Sequence, residues 1–173
     1  RTHCTGHVYL CRYADDFVVL CKGNTDRLLE GMQRVLGHLC LSLNAEKTRV
    51  LDSRQEGFNF LGFDIKVRKS PRTGRSYPHI RPSRKAQRRI KAEIKKLTCR
   101  STLALSTEAI IQRLNEVVRG WAGYFYYGNC SKDFSALRWH LEERVRIYLR
   151  RKHQKRSRGY KAYPYSYLYE TLG

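Results

Sequence analysis

The chain has 173 residues, of which 41% are hydrophobic and 12% aromatic, and its formal net charge is +20. This length is sufficient for one medium domain or two small ones, and the apolar content is sufficient for a packed core. No apolar run approaches the roughly 20 residues that a membrane-spanning helix requires, so the sequence predicts no membrane partner.

The positive charge is concentrated in the second part of the sequence. Residues 1–64 carry eight Lys/Arg and eight Asp/Glu, whereas residues 65–173 carry 27 and seven. A merely solvated basic surface accounts for a much smaller excess than this. Because each phosphate neutralised by a cation releases counterions, the excess predicts a polyanionic partner. We therefore predict a neutral first region and a second region that binds nucleic acid.

The six cysteines form no Cys-x-x-Cys pair. His3, Cys4 and His7 have the spacing of half a metal knuckle, but no second pair of ligands follows them. We expect reduced thiols and no structural zinc.

Two β-rich segments, 7–12 and 17–21, flank the sequence Tyr-Ala-Asp-Asp at 13–16. They predict a hairpin with Asp15 and Asp16 at its tip. An aspartate in a tight turn can simply bond its own backbone. Alternatively, two carboxylates on a rigid tip can ligate the Mg²⁺ ions of a phosphoryl-transfer enzyme.

The next segments alternate between helix and strand. Asn24 or Thr25 is expected to cap an amphipathic helix, and residues 47–51 and 58–67 are expected to form strands. Segment 68–82 contains three prolines and a glycine together with basic residues. It predicts a hairpin or linker and the best domain boundary.

Three amphipathic helices are predicted at about 83–99, 107–126 and 132–153, and their apolar stripes can close a small bundle. In the first of them, the apolar stripe consists of Ala86, Ile90, Ile94 and Leu97. The other faces of this helix carry a group of cations, termed here the basic ridge, which we predict to bind RNA. The basic ridge consists of Arg84, Lys85, Arg88, Arg89, Lys91, Lys95 and Lys96.

Five aromatic residues lie near the end of the second predicted helix and are candidates for stacking on bases. Helical spacing assigns Trp121 and Phe125 to the core. Of these five residues, only Tyr126 or Tyr127 therefore remains as a fair stacking candidate.

Several segments of the sequence, taken in chain order, resemble group II intron-encoded reverse transcriptase/maturases. Tyr-Ala-Asp-Asp resembles the active-site signature of reverse transcriptases. The later segments resemble the block containing Leu-Asn-x-x-Lys-Thr (LSLNAEKTRV, 41–50), the primer grip (FNFLGF, 58–63), the maturase-specific domain X (81–96, 112–127 and 134–152) and the segment after it (YLYETLG).

The resemblance implies an α+β fold. Residues 1–67 would be the C-terminal part of a reverse-transcriptase palm, 68–82 a basic linker or hairpin, 83–160 the helical thumb and maturase-specific domain, and 161–173 a tail. It also implies RNA-directed DNA polymerase activity and help with intron splicing. The partners would be group II intron RNA, an RNA template with a DNA primer, and dNTPs. The family implies a bacterial cytoplasmic protein associated with the nucleoid or a ribonucleoprotein.

The resemblance also assigns roles to residues of the first 67 positions. Asp15 would be the main Mg²⁺ ligand and Asp16 a weaker one, while Tyr13 and Ala14 would line the primer terminus and the nucleotide site. Lys47 would neutralise or protonate the departing pyrophosphate.

Leu61 and Gly62 would lie under the primer backbone. The ordinary alternatives are a solvated lysine at position 47 and a strand glycine at position 62.

One departure from the family limits this interpretation. The complete polymerase has another catalytic aspartate and the fingers, and neither is found in these 173 residues. We therefore expect a fragment that is inactive in DNA synthesis by itself. The alternative is a non-catalytic RNA-binding splicing factor with a vestigial palm. A generic DNA-binding domain would leave Tyr-Ala-Asp-Asp and Phe-Leu-Gly-Phe unexplained.

Overall fold

The computed structural model describes residues 8–172. These residues form small antiparallel sheets and helices, which confirms the expected α+β class. The chain divides into two compact units, Arg1–Asp52 and Ser53–Gly173. His3, Cys4 and His7 lie outside the described residues. The five described cysteines are free thiols: Cys11, Cys21, Cys40, Cys99 and Cys130.

The first unit contains a hairpin and one helix. Strand β1 (Val8–Tyr13) pairs antiparallel with β2 (Asp16–Cys21), and helix α1 spans Thr25–His38. Asn24 caps α1, because its side chain accepts hydrogen bonds from the first backbone N–H groups of the helix. The predicted strand, turn, strand and capped helix are thus confirmed.

The strand predicted at 47–51 is wrong. Asn44 accepts hydrogen bonds through its side-chain oxygen from the N–H groups of Glu46 (3.0 Å) and Lys47 (3.2 Å). Its carbonyl oxygen also accepts from the N–H of Thr48 at 2.8 Å. These bonds hold the start of the segment in a turn, which competes with an extended conformation.

The second unit begins with a three-stranded antiparallel sheet in the order β3 (Phe58–Phe60), β4 (Phe63–Lys69) and β5 (Ser76–Pro82). Segment 68–82 is therefore a hairpin inside this unit, and the division between the units lies between Asp52 and Ser53 instead.

The single strand predicted at 58–67 is wrong at its centre. Leu61 and Gly62 form a two-residue turn in which both φ angles are positive, 49° and 81°. This is the conformation of a type I′ turn, whose twist matches that of the two strands it joins.

The three predicted helices are confirmed as α2 (Arg84–Leu97), α3 (Thr107–Tyr124) and α4 (Ser131–Lys152). The side chains of Ser83 and Ser106 cap α2 and α3. One apolar core joins the three helices to the C-terminal segment. Its buried members are Ile90, Ile94, Ile110, Leu114, Leu137, Val145, Tyr148, Leu149, Tyr163 and Leu168.

The C-terminal segment is held by Arg146 of α4, which is only 2% exposed. Its Nε donates to the carbonyl oxygen of Tyr163 at 3.1 Å, and its Nη1 donates to Oε1 of Glu143 at 3.0 Å. The rings of Tyr160 and Tyr165 lie with their centres 5.1 and 4.7 Å from the guanidinium carbon. We call this set of contacts the C-terminal latch. The latch docks the start of the segment that the resemblance assigns to a tail, residues 161–173.

Candidate nucleic-acid interface

The basic ridge lies on the surface of α2. Ile90 and Ile94 are buried against the other helices, which turns the opposite side of α2 outward. Six of the seven cations of the ridge are exposed, and Lys91 is half-buried. The predicted division of α2 into a buried stripe and a charged face is thus confirmed, and the ridge is accessible to a polyanion.

Helix α4 fixes the C-terminal end of α2. The Arg144 side chain donates from Nε to Oγ1 of Thr98 at 3.0 Å and from Nη2 to the Thr98 carbonyl oxygen at 2.9 Å. It also reaches the Lys95 carbonyl oxygen at 3.4 Å. The last carbonyls of a helix carry partial negative charge, so a guanidinium stabilises them. The ridge therefore lies on a helix with a fixed end.

Other cations of the second unit bond the protein's own groups. Arg81 donates from Nη2 to Oδ1 of Asp133 at 2.7 Å, which joins β5 to α4. Lys152 donates from Nζ to the Leu103 carbonyl oxygen at 3.0 Å. Together with Arg146 in the latch, these groups stabilise the fold, and their charge is less available to a ligand than that of the ridge.

The Tyr-Ala-Asp-Asp sequence forms the tip of the β1–β2 hairpin. Tyr13 pairs with Asp16 across the hairpin, and Ala14 has a φ of 53° in the two-residue turn. The Arg12 Nε donates to the Ala14 carbonyl oxygen at 2.8 Å, which stabilises the turn. Asp15 is in the turn, Asp16 is the first residue of β2, and both are exposed.

The two aspartates fit Mg²⁺ in the type of donor, because this ion prefers carboxylate oxygens. They do not form a full set of protein ligands for a metal pair. Within residues 8–172, no group of three or more His, Cys, Asp or Glu side chains has the arrangement of a metal site.

Lys47 belongs to the same unit as the aspartates and lies in the turn that Asn44 holds. Lys47 is exposed, which fits both a solvated lysine and a lysine that contacts substrate. Leu61 and Gly62 belong to the second unit.

The Leu61–Gly62 turn packs against the end of α3, a contact that sequence reasoning did not predict. The Tyr124 hydroxyl donates to the Leu61 carbonyl oxygen at 2.9 Å. Phe63 packs on Tyr124 and on Phe125, with ring centres 5.5 and 4.8 Å away. The segments Phe-Leu-Gly-Phe and Tyr-Phe-Tyr-Tyr are far apart in sequence, and no local pattern links them.

The aromatic residues at the end of α3 divide as their spacing predicted. Phe125 is buried, and Trp121 packs against it at 4.8 Å between ring centres. Tyr126 and Tyr127 are 73% and 71% exposed. The core assignments are thus confirmed, and both tyrosines are on the surface.

Residues 87–165 match the family model of the group II intron, maturase-specific domain. The matched region begins within α2 and contains all of α3 and α4. It ends inside the C-terminal segment at Tyr165, a member of the latch. The match supports the resemblance of this part of the chain to the C-terminal region of group II intron maturases. A search of curated proteins found no match to the chain.

No helix within residues 8–172 is long and apolar enough to cross a membrane.

Proposed function

We propose that this chain is part of a group II intron-encoded reverse transcriptase/maturase, and that it binds intron RNA through the basic ridge to promote splicing. The observation that carries the proposal is the position of the ridge. Five of its seven cations lie inside the matched region, on a helix whose opposite side is buried. Most of the basic ridge therefore lies within the region that matches the maturase-specific domain.

The chemistry of the ridge suits folded RNA. Lysine and arginine side chains neutralise backbone phosphates, and they set the position of an RNA more by its shape than by its base sequence. Ile90, Ile94 and the bonds from Arg144 fix α2 in place. The backbone of this helix therefore loses little conformational entropy when the RNA binds.

DNA synthesis is the second activity that we propose for the complete protein. Asp15 and Asp16 would hold Mg²⁺, and Tyr13 and Ala14 would line the primer terminus and the nucleotide site. Bound metal supplies charge stabilisation for phosphoryl transfer. A further carboxylate from outside the described residues would complete the donor set, and Lys47 would act on the departing pyrophosphate.

A non-catalytic RNA-binding splicing factor is the second candidate. The number of carboxylates at the hairpin tip supports this candidate, because the tip brings together two of them and not three within residues 8–172. In that case the first unit would serve only as a scaffold.

Two variants separate these activities in a polymerase-competent protein that contains this chain. Replacing Arg88, Arg89, Lys95 and Lys96 with Gln removes four charges and keeps helix propensity. We expect a large loss of splicing of a group II intron precursor RNA, while copying of a generic primed template changes much less. Asp15→Ala should abolish copying and spare splicing.

The result that would overturn the assignment is equal loss of both activities in the four-Gln variant, with its helix content unchanged. The ridge would then hold primer–template duplex. Near-normal copying by the Asp15→Ala variant would instead show that Asp15 does not hold the Mg²⁺ used for copying. A matched control is Arg27→Gln with Arg34→Gln, which removes two exposed cations from α1 and should leave splicing unchanged.

A further inference from the structure

Tyr126 and Tyr127 are the two most exposed large aromatic side chains among residues 8–172, at 73% and 71%. Their ring centres lie 5.7 Å apart and the ring planes meet at 73°. An adjacent pair of this kind leaves roughly 200–350 Å² of aromatic side chain exposed to water, judged from the size of an aromatic residue. Neither ring belongs to the apolar core.

The backbone beneath this pair is fixed. Phe125, just before it, is buried and packs between Trp121 and Phe63 with both ring centres 4.8 Å away. Its N–H donates to the Trp121 carbonyl oxygen at 3.0 Å, which ends α3. The tyrosines therefore follow directly from an anchored residue.

The other side of the pair is anchored to β5. Gly128 has a φ of 96°, and a Cβ at this position would lie 2.5 Å from the Ile80 carbonyl oxygen. The Asn129 N–H donates to that same oxygen at 2.7 Å. The Cys130 thiol donates to the Tyr127 carbonyl oxygen at 3.1 Å. The loop thus presents both tyrosines from a backbone that is held at both ends.

We propose that Tyr126 and Tyr127 form a stacking platform for an unpaired base of the bound RNA. A base can lie on the face of one ring, while the second ring, at a steep angle to the first, limits where the base can go. Stacking uses the face of a base, which all four bases share, so the platform selects an unpaired nucleotide over a paired one and is tolerant of sequence.

The choice of RNA as occupant follows from charge. The excess of +20 makes a polyanion the favoured partner, and exposed Lys132 follows the loop in the first turn of α4. This inference rests on the proposed function, since it assumes that the matched region binds RNA. It adds a second kind of contact, because the basic ridge reaches phosphates and the platform reaches a base.

The test uses two RNA hairpins that differ by a single bulged nucleotide. The full chain should bind the bulged hairpin about ten-fold more tightly than the fully paired one, the size expected of one base stacked on an aromatic ring. Replacing both tyrosines with Leu keeps an apolar side chain and should abolish this difference. Replacing both with Phe keeps the rings and should preserve it. Binding of the paired hairpin should be the same for all three proteins.

A fluorescent 2-aminopurine at the bulge provides a second readout. Its emission should be quenched when the wild-type chain or the Phe variant binds, and not when the Leu variant binds. Equal affinity of the wild-type chain for both hairpins would overturn the platform and leave the proposed RNA binding intact. No binding of either hairpin would overturn the proposed function itself. A change of oligomeric state in the Leu variant would overturn the platform, because it would show that the tyrosines contact a second copy.

Discussion

The Tyr124 hydroxyl donates a hydrogen bond of 2.9 Å to the carbonyl oxygen of Leu61, 63 positions away in the chain. The bond joins the end of α3 to a turn in which Leu61 has a φ of 49°. Leucine rarely adopts this conformation, so contacts around the turn must stabilise it. The hydroxyl supplies one such contact, and the ring of Phe63 stacked on Tyr124 supplies another.

Removing this hydroxyl should therefore weaken the joint between the sheet and the helices. We expect Tyr124→Phe to lower the free energy of unfolding by about 1 kcal/mol, the usual net value of a hydrogen bond. Urea denaturation measures the change. Tyr126→Phe is the matched control, because it removes a hydroxyl from a ring that is 73% exposed and should leave stability unchanged. Equal effects of the two substitutions would contradict the role given to the Tyr124 hydroxyl.

Gly128 tests how tightly the loop after α3 is held. A methyl group at this position would meet the Ile80 carbonyl oxygen at 2.5 Å, and alanine is also strained at a φ of 96°. We expect Gly128→Ala to destabilise the second unit by at least about 2 kcal/mol. The matched control is Gly120→Ala, inside α3, where nothing lies within 4 Å of the added carbon. That change should stabilise the protein by up to about 1 kcal/mol, since glycine is a poor helix former.

The C-terminal latch depends on Arg146. Arg146→Ala removes the cation between Tyr160 and Tyr165 and leaves the Tyr163 carbonyl oxygen and Glu143 without this partner. We expect a loss of about 3 kcal/mol, because the substitution removes a buried guanidinium together with its hydrogen bonds and its contacts with two rings.

The released segment should be cut by trypsin within residues 155–161 much faster than in the wild-type chain. Arg158→Ala removes an exposed arginine from the same stretch and should change stability by less than about 0.5 kcal/mol. Unchanged proteolysis of the Arg146 variant would show that the segment is held by its apolar contacts alone.

His140 gives the second unit a pH dependence. Burial lowers the pKa of His140, Lys91 and Arg144 lower it further by charge repulsion, and a hydrogen bond with the Lys91 backbone partly offsets both effects. Just below the ordinary histidine pKa, His140 is therefore protonated more in the unfolded chain than in the folded chain. Stability is full above that pKa and falls as the pH falls through it.

Unfolding in urea at pH 7.5 and at about 5.5, above the range in which most carboxylates titrate, should show this loss. His140→Gln has no proton to gain and should lose less stability over the same interval. The remaining loss should include His79, whose pKa is also lowered by burial and by Arg68 and Arg81. An identical loss in the variant would show that His140 does not contribute.

RNA affinity should depend steeply on salt. Each phosphate contact contributes roughly −0.7 to −0.9 to the slope of log affinity against log salt concentration. The four-Gln variant of the ridge should lower the magnitude of the slope by up to about 3.6. Titrations of one structured RNA at several salt concentrations measure it, and Arg27→Gln with Arg34→Gln should leave the slope unchanged. If the affinity of the wild-type chain did not change with salt, the basic surface would not be the binding site.

The elements that the sequence predicted correctly are those whose signal is local. Hairpin β1–β2 follows from two β-rich segments around a polar turn, and the basic ridge follows from the spacing of Ile90 and Ile94 along α2. In each case the residues that determine the conformation lie within one or two turns of chain, and burial of the apolar face follows from amphipathic periodicity.

The failures involve either unusual turns or distant partners. Leu61 at positive φ lies in an apolar run that is typical of a continuous strand, and its partner Tyr124 is too distant for any periodicity to reveal. The role of Arg146 was missed for the same reason, because its partners are distant in the sequence. Arg146 lies in a basic stretch where a solvated cation is the ordinary expectation, and only the folded chain places it against Tyr160 and Tyr165. The turn at Asn44 could have been anticipated, since asparagine commonly bonds the backbone two or three residues ahead.

In a ribbon of two strands, every strand is an edge strand. Within residues 8–172, strands β1 and β2 form such a ribbon, and Val8, Leu10 and Leu20 on it are 40%, 65% and 49% exposed. Unsatisfied strand edges with apolar side chains template the addition of further strands from other molecules. Aggregation of concentrated protein should therefore start at this ribbon and give intermolecular β-sheet, visible in the amide I infrared band, while the helices persist. Charged substitutions at Val8 and Leu10 would delay it, because charge on an edge opposes strand addition.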